Sequence, residues 1–138
     1  MEQIDLVELR IPRKPEFVSV ARLAVSGIAG RMDFSYDEVE DIKLAVGEAC
    51  TSAMKSGSLE SASSPITIRC ESDPHRISIE VLDHAHPNPR GNRNVNPPAD
   101  EPISRLLMEV LMDEVDVKED EDGIVSVRMT KYVSGDEA

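Results

Sequence analysis

The sequence predicts an α+β fold, a two-layer α/β sandwich in which a mostly antiparallel sheet carries helices on one face. Three observations carry that expectation. Segments with a period of two and segments with a helical period follow one another in the order β-α-α-β-β-α-β-β. Two pairs of strand-like segments are each joined by a short polar turn, which favours antiparallel neighbours. A chain of 138 residues is long enough for one proper core and short for two, so a single domain over 1–138 is expected.

The opening segment from Ile4 to Ile11 alternates well enough to be a strand, with Ile4, Leu6 or Val7, Leu9 and Ile11 competing for the inner face. Pro12 and Pro15 end it. A helix follows from about Glu16, with Phe17, Ala21, Ala24 and Ile28 at helical spacing and Gly30 with Asp33 marking its exit. Ser35-Tyr36-Asp37-Glu38 reads as a capping box, because the serine hydroxyl and the glutamate carboxylate can satisfy the first free amides of a second helix. That helix carries Val39, Ile42, Val46, Ala49 and Ala53 on one stripe.

Gly57 to Ser64 has no apolar periodicity and reads as a mobile serine-rich connection. Two alternating strands come next, with Ile66, Ile68 and Cys70 on one and Ile77, Ile79 and Val81 on the other, turned by Ser72-Asp73-Pro74-His75. The stretch from Asp83 to about Glu101 is rich in proline and asparagine and is expected to be a flexible surface loop. A third helix starts near Pro102, where the missing amide is tolerated, with Ile103, Leu106, Leu107, Val110 and Leu111 as its apolar stripe. A hairpin from Glu114 to Lys118 and Ile124 to Tyr132, across Asp120-Glu121-Asp122-Gly123, closes the fold before a short acidic tail.

The formal charge of -12, from 15 basic against 27 acidic side chains, argues against direct nucleic-acid binding, which needs a basic face. A protein partner with a basic surface fits better. Cys50 and Cys70 read as buried free thiols of a reducing compartment. No apolar run approaches the ~20 residues that span a bilayer, and the first residues lack a signal-peptide pattern, so a cytoplasmic protein is expected.

Three fragments carry a family resemblance over roughly Val7 to Tyr132. They are Glu48-Ala49-Cys50-Thr51-Ser52-Ala53 on the second helix, Leu111-Met112-Asp113-Glu114-Val115 at the end of the third, and Met129-Thr130-Lys131-Tyr132 on the last strand. In this order the chain resembles the anti-sigma-factor serine kinases of bacteria, members of the histidine-kinase-like (GHKL) ATPase superfamily with its Bergerat-type sandwich. The resemblance implies a motif Glu-Ala-x-Thr-Asn-Ala, in which the asparagine holds magnesium and the glutamate is the candidate base for a protein hydroxyl. It implies an Asp-x-Gly strand end that receives adenine, and a glycine lid over the phosphates.

The departures from that pattern concentrate on the chemistry. Glu48 is retained, but the asparagine position is Ser52, whose short hydroxyl cannot reach where an amide carbonyl reaches. Asp83 survives as the adenine contact, while the close-approach glycine is Ala85. The lid positions hold Glu101, Pro102 and Ser104, so a proline without an amide and a carboxylate stand where phosphates would be cradled. The resemblance with these losses implies a regulator with Glu48 as a vestigial base and no ATP or magnesium expected. The alternative is an active serine kinase that uses both.

The implied partners are a sigma factor, gripped through Arg22 on the first helix, and a STAS-domain anti-anti-sigma protein; a homodimer is also open. Simpler readings stand beside these. An isolated acidic helix edge with Asp41, Glu48, Ser52 and Lys55 is ordinarily a solvated face. The His84-x-His86 pair, even with Cys50 or Asp83 as imagined third ligands, is ordinarily loop surface, and no metal set is expected. Met108 and Met112 could form a soft binding surface but more often fill a core.

Overall fold

A computed structural model of the chain describes residues 4–55, 64–84, 102–121 and 124–133, with residue 102 described in its backbone. The expected loop over 83–101 lies outside the described residues beyond His84, as do Gly57 to Ser63 of the serine-rich connection, the Asp122-Gly123 part of the last turn and the acidic tail.

The elements follow the order expected from the periodicities: β1 (Asp5–Ile11), α1 (Val18–Ala29), α2 (Tyr36–Lys55), β2 (Ile66–Asp73), β3 (Arg76–Asp83), α3 (Pro102–Leu111), β4 (Glu114–Glu119) and β5 (Val125–Tyr132). A short 3-10 turn at Pro15–Phe17 precedes α1. All four strand pairings are antiparallel, and the sheet order is β1-β2-β3-β5-β4. Placing β5 between β3 and β4 puts the α3 crossover on the helical layer.

One face of the sheet supplies the core. Ile11, Ile66, Ile68, Cys70, Ile79, Val81, Val127 and Met129 are buried together with Ala21, Val25, Ile42, Val46, Ala49 and Cys50 of the helices. The other face is polar. Glu8, Arg69, Glu80 and Arg128 stand in register across β1, β2, β3 and β5, and Arg69 bridges Glu8 at 3.4 Å and Glu80 at 3.8 Å. A charged outer face explains why the helices pack on one side alone, since covering it would desolvate the ladder.

The local signals behave physically as the sequence implies. Ser35 and Glu38 close the capping box in both directions, with Ser35 N–H donating to Glu38 Oε1 at 2.7 Å and Glu38 N–H to Ser35 Oγ at 3.1 Å. Asp73 Oδ1 accepts from the amides of His75 at 2.8 Å and Arg76 at 3.1 Å, which makes the β2–β3 turn an Asx turn. At the exit of α1 the Gly30 amide returns to Ser26 O, and a Cβ on Gly30 would stand 2.9 Å from that carbonyl, so the position requires glycine.

Three expectations about faces need correction. In β1 only Leu9 and Ile11 pack inward; Ile4 and Leu6 alternate onto the outer face with Glu8, and Val7, though on the inward face, is exposed near the outer end of this edge strand. In α1 the buried line is Ala21, Val25 and Ala29 rather than one through Ala24, since this helix meets both the sheet and α2 and Val25 fills the angle between them. The largest change is in α3. Ile103, Leu106 and Val110 face solvent at 82%, 60% and 73% exposure and Leu107 is also exposed, while Ser104, Met108 and Met112 form the buried line with Leu111 beside it. The methionines fill the core. No helix among the described residues is long and apolar enough to cross a membrane.

Candidate functional site

The candidate positions fall in two places, the seam between α2 and α3 and the end of β3. Glu48 and Ser52 are one helical turn apart on α2, which puts both on the side that meets α3. Ser104 enters from the first turn of α3. Its hydroxyl donates to Glu48 Oε1 at 2.7 Å and pairs with Ser52 Oγ at 2.5 Å, and Ser52 and Ser104 are only 3% and 2% exposed. The edge of α2 that carries Glu48 and Ser52 is therefore an internal seam at this point and not a solvated face. Asp41 is half-buried and Lys55 exposed further along the helix. Ser104 shares the inward line of α3 with Met108 and Met112, and its bonds to the carboxylate and hydroxyl on α2 let a polar residue stand there satisfied.

Asp83 ends β3 and is buried, opposite Ile66 in the ladder. Its Oδ1 receives the Arg13 guanidinium through Nη2, and both side chains are 5% exposed. Arg13 also donates through Nη1 to Ala53 O at 2.6 Å and through Nε to Ser64 O at 3.2 Å. One guanidinium thus joins the segment after β1, a last-turn carbonyl of α2, the approach to β2 and the end of β3. Ala53 O lies in the last turn of α2, where the negative end of the helix dipole favours a fixed cation. The next residue, His84, pairs through Nε2 with Thr67 Oγ1 at 3.1 Å; His86 lies outside the described residues, and no cluster of histidine, cysteine and carboxylate side chains suited to a metal occurs among the described residues.

Of the singled-out positions, Glu48 and Ser52 meet, Asp83 stands apart at the β3 end with Arg13, and Pro102 is the first residue of α3. Ala85, Glu101 and the Pro102 side chain lie outside the described residues. Arg22 is on the outer part of α1, half-buried, with its stem against α2: a Cβ on Gly47 would stand 3.3 Å from Arg22 Cδ. Its Nε is buried with no hydrogen-bond partner among the described residues. Cys50 and Cys70 are free and buried, and burial pushes both thiols up to about 12.

Two residues escape sequence reasoning. Arg13, between Pro12 and Lys14, carries no motif signal; a cation two residues past a strand is ordinarily a solubilising group. Ser104 reads in the sequence as a lid position, but its bond to Glu48 depends on the rotation of α3, which an amphipathic pattern with two apolar faces does not fix.

A family model for the histidine kinase-like ATPase domain matches residues 11–131 of the chain. The chain belongs to the histidine kinase-like ATPase family. Within it, the chain is 34% identical to the serine-protein kinase RsbW of Bacillus subtilis (strain 168), over 96% of this chain and 88% of that protein. It is 36% identical to serine-protein kinase RsbW of Bacillus licheniformis, over 94% and 87% of the two chains. Serine-protein kinase RsbW of Oceanobacillus iheyensis is 35% identical over 99% of this chain and 92% of its own. The five-stranded antiparallel sheet with its helical layer is the family's α+β architecture, and the Glu48, Ser52 and Asp83 positions fall inside the region matched to the histidine kinase-like ATPase model.

Proposed function

We propose that this chain is a cytoplasmic, single-domain regulator of the anti-sigma-factor type, acting in a bacterial partner-switching pathway of transcription control by binding a sigma factor, a STAS-domain anti-anti-sigma protein, or both. ATP binding and kinase chemistry have lapsed in it. One observation carries the second part: the polar groups that would meet a magnesium nucleotide already satisfy one another. Asp83 holds a buried guanidinium, and Glu48 and Ser52 share the Ser104 hydroxyl. As arranged, these residues do not fit the group. A metal needs an oxygen donor with a free lone pair and room for bound waters, and Ser52 is buried against Ser104. An adenine amine needs the Asp83 carboxylate that Arg13 occupies. No catalytic step is therefore derived.

Support for the partner role comes from α1. Arg22 is half-buried on this helix, and Val20 and Leu23 beside it are exposed. An acidic partner side chain against the half-buried Arg22 would meet its positive charge, with apolar contact around it. A second reading, an active serine-protein kinase using ATP and magnesium to phosphorylate an anti-anti-sigma protein, is favoured by the retained Glu48 and by the names of the relatives.

Thermal melting separates the two readings. A ligand that binds only the folded state at a hundredfold over its Kd adds about 2.7 kcal/mol, a readily measured rise. The expected result is no rise with ATP and magnesium; a clear rise overturns the lapsed-kinase reading. For the partner surface, Arg22→Glu is expected to weaken sigma-factor binding by about 2 kcal/mol or more, as charge reversal at a central contact does. Unchanged affinity would remove Arg22 from the interface.

A further inference from the structure

We propose that Arg13 is a built-in occupant of the base-binding position at the end of β3, a tethered cation that holds the Asp83 carboxylate in place of a ligand's amine. The inference rests on the reading above that Asp83 is the adenine position, and adds to it the residue that keeps the position closed.

The geometry is that of a bound ligand. The Arg13 side chain is 5% exposed, and each of its three nitrogens donates to a different segment: Nη2 to Asp83 Oδ1, Nη1 to Ala53 O at 2.6 Å and Nε to Ser64 O at 3.2 Å. A side chain kept only for solubility would leave this planar fork in water. An adenine amine would offer Asp83 a neutral N–H. The guanidinium offers a charged one, which makes the stronger bond, and its attachment two residues beyond β1 makes its encounter with Asp83 intramolecular. A neutral aminopurine therefore competes at a disadvantage in both bond strength and effective concentration. It must also leave the guanidinium displaced from Ala53 O and Ser64 O, both internal acceptors.

Removing the plug should restore a site for the chemical class it imitates, flat N–H donors such as aminopurines. The test uses the full chain as parent, as Arg13→Ala, and as Arg13→Ala combined with Asp83→Ala, melted with and without millimolar adenosine. Arg13→Ala is expected to melt lower than the parent, and adenosine to raise its midpoint by several degrees while leaving the parent unmoved. In the double variant the rise should vanish. If adenosine raises Arg13→Ala no more than it raises the parent, or raises the double variant equally, Arg13 is a structural clamp and the proposal is overturned. Should Arg13→Ala fail to fold, Arg13→Gln, which keeps much of the stem's packing and an amide donor, is judged by the same comparison.

The outcome is separable from that of the functional reading. A parent that responds to ATP with magnesium sinks the lapsed-kinase reading, yet an Asp83-dependent gain on removing Arg13 would still establish Arg13 as the competing occupant.

Discussion

Ser104 and Arg13 do the same physical work on different partners: each brings a donor to a group that burial would otherwise leave unsatisfied. Ser104→Ala removes the donor to Glu48 and the partner of Ser52 without changing helix propensity for the worse, so its effect isolates the polar contact. A buried partner left unpaired costs about 1–3 kcal/mol, and that loss is expected in chemical denaturation of Ser104→Ala. Ser104→Ala as stable as the parent would mean that water replaces the serine. The Ser35 cap is a simpler case. Ser35→Ala is expected to lose about 1 kcal/mol by the same measurement, since one amide of the first turn of α2 loses its acceptor. Asp83 and Glu48 stand out in the sequence as candidate positions because they sit in the motifs that carry the resemblance. Their actual partners do not, because Arg13 is 70 residues from Asp83 and Ser104 is 56 from Glu48, separations no local pattern spans.

At the level of elements, the order of strands and helices was readable almost throughout, because period, caps and turns are local properties. Rotation of α3 was not. Its sequence offers two apolar lines, one through Ile103, Leu106, Leu107 and Val110, the other through Met108 and Met112, and period alone favours the longer. The line that faces inward, Ser104 with Met108 and Met112, is set by how α3 packs on α2, a tertiary fact. The two assignments predict opposite mutational results. Met108→Ala is expected to lose about 2–5 kcal/mol as a buried large-to-small change, while Leu106→Ala should stay within roughly 0.5 kcal/mol. Urea midpoints of the two variants check this, and the reverse ranking would put the helix the other way round. Edge strand β1 misled for a related reason: alternation says which residues share a face, and only the extent of the helical layer says where that face stops being covered.

For the whole molecule, the buried thiols set an alkaline limit. Burial raises Cys50 from 9.0 to about 12, and burial, with a smaller push from Glu71, does the same to Cys70. Groups whose folded pKa lies above the unfolded value hold their proton more tightly when folded. Their contribution is thus full below pH 9 and is lost as pH rises towards 12. Urea midpoints taken across that range should fall with rising pH, and fall less in a variant with both cysteines replaced by alanine. The Tyr132 hydroxyl, raised by its hydrogen bond to Glu114, adds to the same trend, and Tyr132→Phe in both backgrounds removes it. Equal slopes with and without the cysteines would reject the assignment. A different consequence follows from how α3 is anchored. At its far end Lys131 Nζ donates to Leu111 O at 2.8 Å, Asp113 N–H to Thr130 O at 3.0 Å and Tyr132 N–H to Asp113 Oδ2 at 2.8 Å, all fixed to the middle of the sheet. Near its start the two serine contacts with α2 are the polar ties the described residues provide. The two ends of α3 are therefore held by different chemistry, main-chain and lysine bonds to β5 at one and serine hydroxyls to α2 at the other, so a change at Ser104 is expected to be felt at the start of the helix before its end.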